Sequence, residues 1–407
     1  MLKFLSKIFY SASIKFYHFF VGLASFFNEK AYRFTTGRLN QVVNESSEPT
    51  IWFHCASLGE FEQAKPLINW FYQQQQCPII LSFFSPSGYT QKVNFPLARA
   101  VYYLPQDGPS SAKSFIQAIQ PKLAFFIKYD FWYFHLQELK KQNIPHFLIS
   151  GIFRKDQLFF KPYGLLHREM LENFTKIFVQ DKASLSLLEK FNYTNCIYAP
   201  DTRFDTVKTI SELNYSNDII ESFISKNQCL IIGSSWFKDE QLFSQCMDIL
   251  DSYKIIIAPH EVNQKRIAQL RKLFPSNSLL SDPRELESSK VLIIDSIGKL
   301  SSIYRYANIC YIGGGFGVSV HNILEAAVYG KVVLFGPNHT KSRDALDLIE
   351  LKAAFEIRSK ENLTKVLNQL KDNAFLQKSE LIAKGYVEDR VGGTQMIINR
   401  LKSDKLI

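Results

Sequence analysis

Short apolar runs alternate with amphipathic stretches along nearly the whole chain, and this alternation limits the fold more than any other feature. From residue 50 onward, the segments 51–54, 79–84, 101–104, 123–127, 146–149 and 176–179 read as strands. Stretches with helical periodicity, such as 62–74 and 110–119, lie between them. Strands separated by helices of that length form βαβ units and a parallel sheet. A polar break near 211–217 interrupts the pattern, which then starts again with strands at 229–233, 254–258, 291–295, 308–312 and 331–335 and helices at 239–250 and 262–273. The 407 residues therefore divide into two doubly wound α/β halves. Sites in such sheets lie at the carboxyl ends of the strands, so two facing halves place the expected site in the cleft between them.

Charge and hydropathy single out the N-terminus. The chain carries a formal net charge of +10. Residues 1–40 hold Lys3, Lys7, Lys15, Lys30, Arg33 and Arg38 against Glu29 alone, six basic to one acidic, a net of +5. The same segment is crowded with Phe. Its uncharged run, 16–27, falls short of the roughly 20 residues that span a bilayer as a helix. No small-residue cleavage site marks a signal peptide. Aromatic side chains mixed with lysines suit a helix lying at a membrane interface, with the basic stretch 30–38 meeting anionic headgroups. A basic excess gathered beside an apolar segment, with no reader motif, argues against a nucleic-acid partner. The six cysteines form no CxxC pair and read as reduced, packed thiols.

The second half carries the most informative loop. A strand ends at Ile312, and Gly313, Gly314, Gly315 and Gly317 follow. Residues 321–330 then read as a helix with Gly330 as its stop. Glycines admit a ligand close to the backbone, and a helix start offers N–H groups to an anion, so this loop is expected to cradle a phosphate. It fits neither the P-loop pattern nor the G-x-G-x-x-G fingerprint. His321 and Glu325, four residues apart, would share a helical face, where a carboxylate could accept from a ribose diol. Asn322 stands between them. Two further strand ends point to the same place: Ser234 and Ser235 after one strand, Pro259 and His260 after the next.

In the first half, Glu60 sits just past a strand, near a helix start shaped by Ser57 and Gly59. Sugar transfer needs a base to take a hydroxyl proton, and a positioned carboxylate suffices. Ser85, Ser87 and Gly88 form a second loop after a strand and are expected to line the acceptor side. No His/Cys metal set, HExxH or D-x-D occurs, so no metal or other cofactor is expected and protein dipoles would hold the leaving phosphate.

Taken in order, these segments resemble the Kdo (3-deoxy-D-manno-octulosonic acid) transferases of lipid A biosynthesis. Residues 52–66 resemble the family's W-x-H-A-x-S-x-G-E block, whose Glu, the proposed base, falls on Glu60. Residues 83–88 resemble its T-P-T-G turn, and 103–107 its Y-x-P-x-D segment. Residues 128–132 stand for E-x-E-x-W, with Lys128 and Asp130 in place of the two acids. Arg203-Phe-Asp205 resembles N-x-K-F-D. Residues 313–325 and 334–337 resemble its G-G-S-F, G-x-H-N-x-x-E and L-F-G-P blocks. The turn after Pro259 lacks the family's arginines.

The resemblance implies a GT-B fold, with a membrane-associating segment at 1–40. An acceptor domain at 41–210, a CMP-sugar domain at 211–384 and a returning helical segment at 385–407 would follow. It implies inverting, metal-independent transfer of Kdo from CMP-Kdo to a lipid A precursor at the cytoplasmic side of the inner membrane. Glu60 would be the base. Ser234, Ser235, Pro259, His260, Gly313, Gly314, Gly315, His321, Asn322 and Glu325 would face the donor. Ser57, Gly59, Ser85, Ser87 and Gly88 would face the acceptor. The residues themselves also admit a GT-B enzyme using a UDP-sugar, or a non-catalytic, membrane-bound nucleotide-binding module.

Overall fold

The computed structural model describes residues 2–74 and 77–407. Among them the chain forms two separate compact units. One runs to Thr206 and takes back Gly392–Ile407; the other is Val207–Val391.

The first unit is built on seven parallel strands: β1 Thr50–Cys55, β2 Ile79–Phe83, β3 Ala100–Tyr103, β4 Pro121–Ile127, β5 His146–Gly151, β6 Lys176–Val179 and β7 Cys196–Tyr198. Their order is β3-β2-β1-β4-β5-β6-β7. Helices cover both faces, so the strands are apolar on both sides, as buried parallel sheets are. Alternate residues then serve two cores. Trp52, Ala124, Phe126 and Leu148 pack on one face, and Ile51, Phe53, Phe125 and Phe147 on the other. Register aligns Phe53 with Phe125 and Phe125 with Phe147. Their rings stack at 4.8 and 5.2 Å across β1, β4 and β5. Each fully buried Phe contributes roughly 1.5–3 kcal/mol of burial free energy, so this row is a main fastening of the sheet.

The second unit repeats the plan with β8 Gln228–Ser235, β9 Tyr253–Pro259, β10 Asn277–Leu279, β11 Val291–Ile293, β12 Ile309–Ile312, β13 Val332–Phe335 and β14 Ala354–Glu356. The order is β10-β11-β9-β8-β12-β13-β14, again with parallel pairing throughout. In both sheets the winding reverses beside the first strand, between β1 and β4 and between β8 and β12. Loops leaving adjacent strands part there and open a crevice at the carboxyl ends.

Two terminal features complete the first unit. The last helix, Gly393–Ser403, lays Ile397, Ile398 and Leu401 on the core of β1 and β4. Asp205 accepts from Gly392 N, Thr394 N and Thr394 Oγ1 at 2.5, 2.7 and 2.5 Å and so caps that helix. At the other end, the helix Leu2–Ala24 is pinned by Tyr10, whose hydroxyl donates to Asp107 Oδ2 at 2.6 Å. Asp107 also accepts from Phe134 N and His135 N and so caps the helix Tyr133–Lys141. Arg38, on the helix Glu29–Leu39, lies over the Phe34 ring and donates to the carbonyls of Phe34, Phe84 and Leu104. The outer side of these two helices and of their connection leaves Phe4, Phe9, Phe16, Phe19, Phe20, Phe26 and Phe27 exposed, Phe27 to 94%. Among the described residues no helix is long and apolar enough to cross a membrane.

The structure corrects two predicted helices. Residues 321–330 hold only the single turn Leu324–Ala327, because the chain first closes a compact loop in which His321 N donates to Gly313 O. His321 thus precedes the helix and shares no helical face with Glu325. The helix predicted at 239–250 is Phe237–Ser244, followed by turns.

Candidate active site

β1 delivers the first unit's chemistry. It ends at Cys55, and the helix Leu58–Gln73 starts three residues later with Ser57 at its N-cap position. Glu60, in the first turn, folds back so that Oε2 accepts from Ala56 N at 2.5 Å. The loop after β4, the neighbouring strand, brings in Asp130, which is buried. The chain enters that loop through Lys128, in the left-handed region at φ +64°. That conformation costs a residue bearing a Cβ about 1–2 kcal/mol, so something must hold it there. Part of the hold is Lys128 N donating to Ile149 O at 2.8 Å.

The Glu60 and Asp130 carboxyls lie close enough for each to shift the other's pKa. Burial raises both pKa values. Glu60 recovers part of its acidity from the Ala56 amide, the Lys128 charge and the Asp130 carboxyl. Asp130 stays well above the usual carboxylate range, through burial and then the Glu60 charge. The pair therefore shares one proton, with Glu60 the better anion and Asp130 the better acid.

The surroundings agree. Trp132 Nε1 donates to His54 Nε2 at 2.9 Å, so that nitrogen carries no proton. His54 Nδ1 then donates to Ser82 Oγ at 2.8 Å. Asp130 Oδ2 lies 3.4 Å from His54 Nε2, but no proton sits there to bridge them, and burial holds the imidazole neutral. The contact is not an ion pair, and Oδ2 is buried without another donor. An oxygen so placed has no donor to favour the ionised form, which agrees with burial keeping Asp130 in its acid form.

Ser57 and Gly59 lie in this same turn. Ser85 and Ser87 follow β2, with their hydroxyls 2.8 Å apart. Gly88 is placed differently. It is buried, and a Cβ there would stand 2.4 Å from the Phe83 ring, so this glycine makes room for the core.

The second unit's residues gather where β8, β9 and β12 end. The glycines there are packed against protein. A Cβ on Gly313 would lie 2.3 Å from Ser234 O, and one on Gly315 would lie 2.5 Å from Gly336 N. Gly313 N donates to Gly233 O, and Gly314 N to Asp239 Oδ2. Asp239 also accepts from Trp236 N and Tyr311 Oη, so one buried carboxylate holds the whole loop. The expected cradle of Gly313 and Gly314 amides is thus already engaged by the protein. Ser235 is also turned inward: its hydroxyl is fully buried and donates to Glu240 Oε1 at 2.7 Å, and Glu240 pairs with buried Arg266. Pro259 is buried at the end of β9.

Other groups do come together at this rim. Trp236, His260 and His321 form a stack of rings, with His260 and His321 centroids 4.4 Å apart. Burial lowers the pKa of both imidazoles, His321 to about 4. Asn322 caps Leu324 N and donates to Glu325 Oε1, while Ser301 donates to Glu325 Oε2. Ser234 is half-buried, at φ +51°. Sequence reasoning gave no role to Trp236, Ser301, His54 or Trp132. The sequence signals for the last pair were the His of the 52–66 block and the Trp of the 128–132 segment.

Comparison with known proteins adds an independent line. The family model described as "3-Deoxy-D-manno-octulosonic-acid transferase (kdotransferase)" matches residues 30–206, which include Glu60 and Asp130. A bifunctional glycosyltransferase/methyltransferase of Fusobacterium nucleatum is 22% identical over 93% of this chain, which spans 62% of that relative's length. The 3-deoxy-D-manno-octulosonic acid transferases of Rickettsia felis and Chlamydia trachomatis are each 26% identical. They align with 84% and 83% of this chain and 76% and 82% of their own. Among solved structures, the UDP-GlcNAc 2-epimerase of Neisseria meningitidis superposes with a TM-score of 0.61 at 15% identity, covering 87% of this chain and all of that one. Acinetobacter baumannii MurG gives 0.56 at 12% identity, covering 88% of this chain and all of that one. At those identities the structures speak for the fold, which is of the GT-B class.

Proposed function

We propose that this chain, which carries the Kdo transferase domain and is homologous to Kdo transferases along most of its length, transfers Kdo from CMP-Kdo to a hydroxyl of a lipid A precursor. The observation that carries the reading is the Glu60–Asp130 carboxyl pair at the winding reversal of the first sheet. A base works best when its pKa approaches the working pH, and burial moves Glu60 in that direction. Asp130 keeps the shared proton and so keeps Glu60 ionised. Glu60 takes the proton of the acceptor hydroxyl as its oxygen attacks the anomeric carbon of Kdo. The bond from that carbon to the CMP phosphate oxygen breaks, the electron pair leaves with CMP, and the configuration inverts. Ser57, Gly59, Ser85 and Ser87 serve the acceptor.

In the second unit, Ser234, His260 and His321 meet the phosphate, and Asn322 and Glu325 take the ribose diol. The Gly313 and Gly314 amides, already bonded within the protein, shape this rim from beneath. The reaction is read as independent of metal. The exposed Phe side chains and basic residues of the N-terminal helices serve to seat the protein on an anionic, cytoplasmic membrane face. Replacing Phe26 and Phe27 together by Asp should then release it from liposomes containing acidic phospholipid.

The deciding experiment incubates the protein with lipid A precursor and an enzyme system that generates CMP-Kdo, and reads the product mass. A mass gain of one or more Kdo units is expected. No gain, with CMP failing and UDP succeeding in protecting the protein from heat, would transfer the reading to a UDP-sugar enzyme.

A further inference from the structure

Trp236, His260 and His321 come from three different strand ends, yet their rings lie nearly parallel. Trp236 and His260 are 4.6 Å apart at 25°, His260 and His321 4.4 Å apart at 14°, and Trp236 and His321 6.4 Å apart at 15°. Trp236 Nε1 lies 2.9 Å from His321 Nε2. An indole N–H can only donate, so this imidazole nitrogen is the acceptor and the ring's single proton sits on Nδ1. Among the described residues no hydrogen bond engages that Nδ1. Gly314, at φ +92°, leaves the ring its space: a Cβ there would lie 2.8 Å from His321 Cδ2 and 3.0 Å from Nε2. The backbone turn, the stack and the indole N–H thus all fix one imidazole in one tautomer.

We propose that Trp236 is a positioning residue for the donor phosphate, a reading that rests on the donor site assigned above. By donating to Nε2, Trp236 holds His321 as a neutral imidazole with Nδ1–H presented to a phosphate oxygen of a nucleotide-linked sugar. The turn Pro259-His260-Glu261 holds no arginine, so this end of the unit meets its anion with an oriented neutral donor where a guanidinium would otherwise supply charge. Such a donor needs no proton from solvent to bind, and it leaves the departing nucleotide without a tight ion pair to break.

The test uses the full-length protein, labelled with 15N-histidine, and its variant Trp236→Phe, which keeps a ring in the stack and removes the N–H. Long-range 1H–15N correlation reads which ring nitrogen carries the proton. Calorimetry reads affinity for CMP and for cytidine, which lacks the phosphate. Wild-type His321 should show Nδ1–H, and the variant should gain Nε2–H. One lost neutral hydrogen bond corresponds to about a fivefold change in binding. The CMP-over-cytidine preference should therefore fall about fivefold in the variant while cytidine affinity stays within about twofold. A wild-type His321 protonated on Nε2 would overturn the proposal, as would a variant that weakens both ligands equally, since that is what a purely structural Trp236 predicts. Failure of the wild-type protein to bind CMP, with the Nδ1–H tautomer intact, would instead overturn the donor reading, and the phosphate role with it.

Discussion

Replacing Glu60 by Gln puts the carboxyl pair to its hardest test. The side chain keeps its length, and its amide oxygen can still accept from Ala56 N, so the turn between β1 and its helix should survive. What is lost is basicity. Removing a general base costs about 10²–10⁴ in rate, or about 2.7–5.5 kcal/mol at 1.36 kcal/mol per tenfold. Asp130 sharpens the expectation. In the native pair it lends its proton to Glu60, and the amide of Asp130→Asn can lend one too, so that variant should lose no more than about tenfold. Asp130→Leu has no proton to lend; Glu60 then loses one of the groups that offset burial, and the acid limb of the kcat profile should move to higher pH. The double variant Glu60→Gln/Asp130→Asn should be no slower than Glu60→Gln alone, because two groups sharing one proton do not add. CMP release measured with donor generated in situ gives all four rates. Turnover of Glu60→Gln within tenfold of wild type would refute the reasoning, as would full additivity in the double variant.

Three further outcomes follow from the geometry. Asp130 is raised well above its unfolded value of 3.8, so the stability it contributes is present below that value and is lost as pH rises through its folded pKa; the melting temperature of Asp130→Asn should gain on wild type as pH increases, and a constant difference would count against a buried proton. Asp205→Ala removes three hydrogen bonds from the start of the helix Gly393–Ser403, which should cost about 2–3 kcal/mol in urea unfolding and speed hydrogen exchange in that helix first. Gly315→Ala drives a Cβ to within 2.8 Å of three Gly336 backbone atoms and should cost about 1–3 kcal/mol, while Gly317→Ala, with its nearest contact at 3.4 Å, should melt within a degree or two of wild type.

Much of the fold was legible because parallel strands buried on both faces are nearly unbroken apolar runs. Those predicted in the first half coincide with β1 to β6 to within two residues at either end. The strands that escaped notice are β7, β10 and β14. Each has three residues and lies at the edge of its sheet. An edge strand has one neighbour and less apolar surface to bury, so its sequence, as in Asn277-Ser278-Leu279, carries little of the signal. A returning helical segment was implied by the family resemblance, whereas its fastening carried no signal in the sequence. Asp205 belongs to a segment that resembles a family motif, and its carboxylate serves Gly392 and Thr394 almost two hundred residues away.

The glycine loop shows why the site was harder to read than the fold. A glycine in a strand–loop–helix turn signals that something comes too close for a Cβ, and a single sequence cannot say what. The sequence reading supplied a phosphate. The structure supplies the protein itself: Ser234 against Gly313, the His321 ring against Gly314, Gly336 against Gly315, Phe83 against Gly88. Other groups at this rim are side chains whose placement depends on long-range packing, such as Trp236 and His321, 85 residues apart and joined by one hydrogen bond. The same holds for Glu60 and Asp130. Either alone is an ordinary carboxylate in a loop or a first helical turn. They become an acid and a base only because the winding of the sheet sets β4 beside β1 and buries both carboxyls with one proton between them.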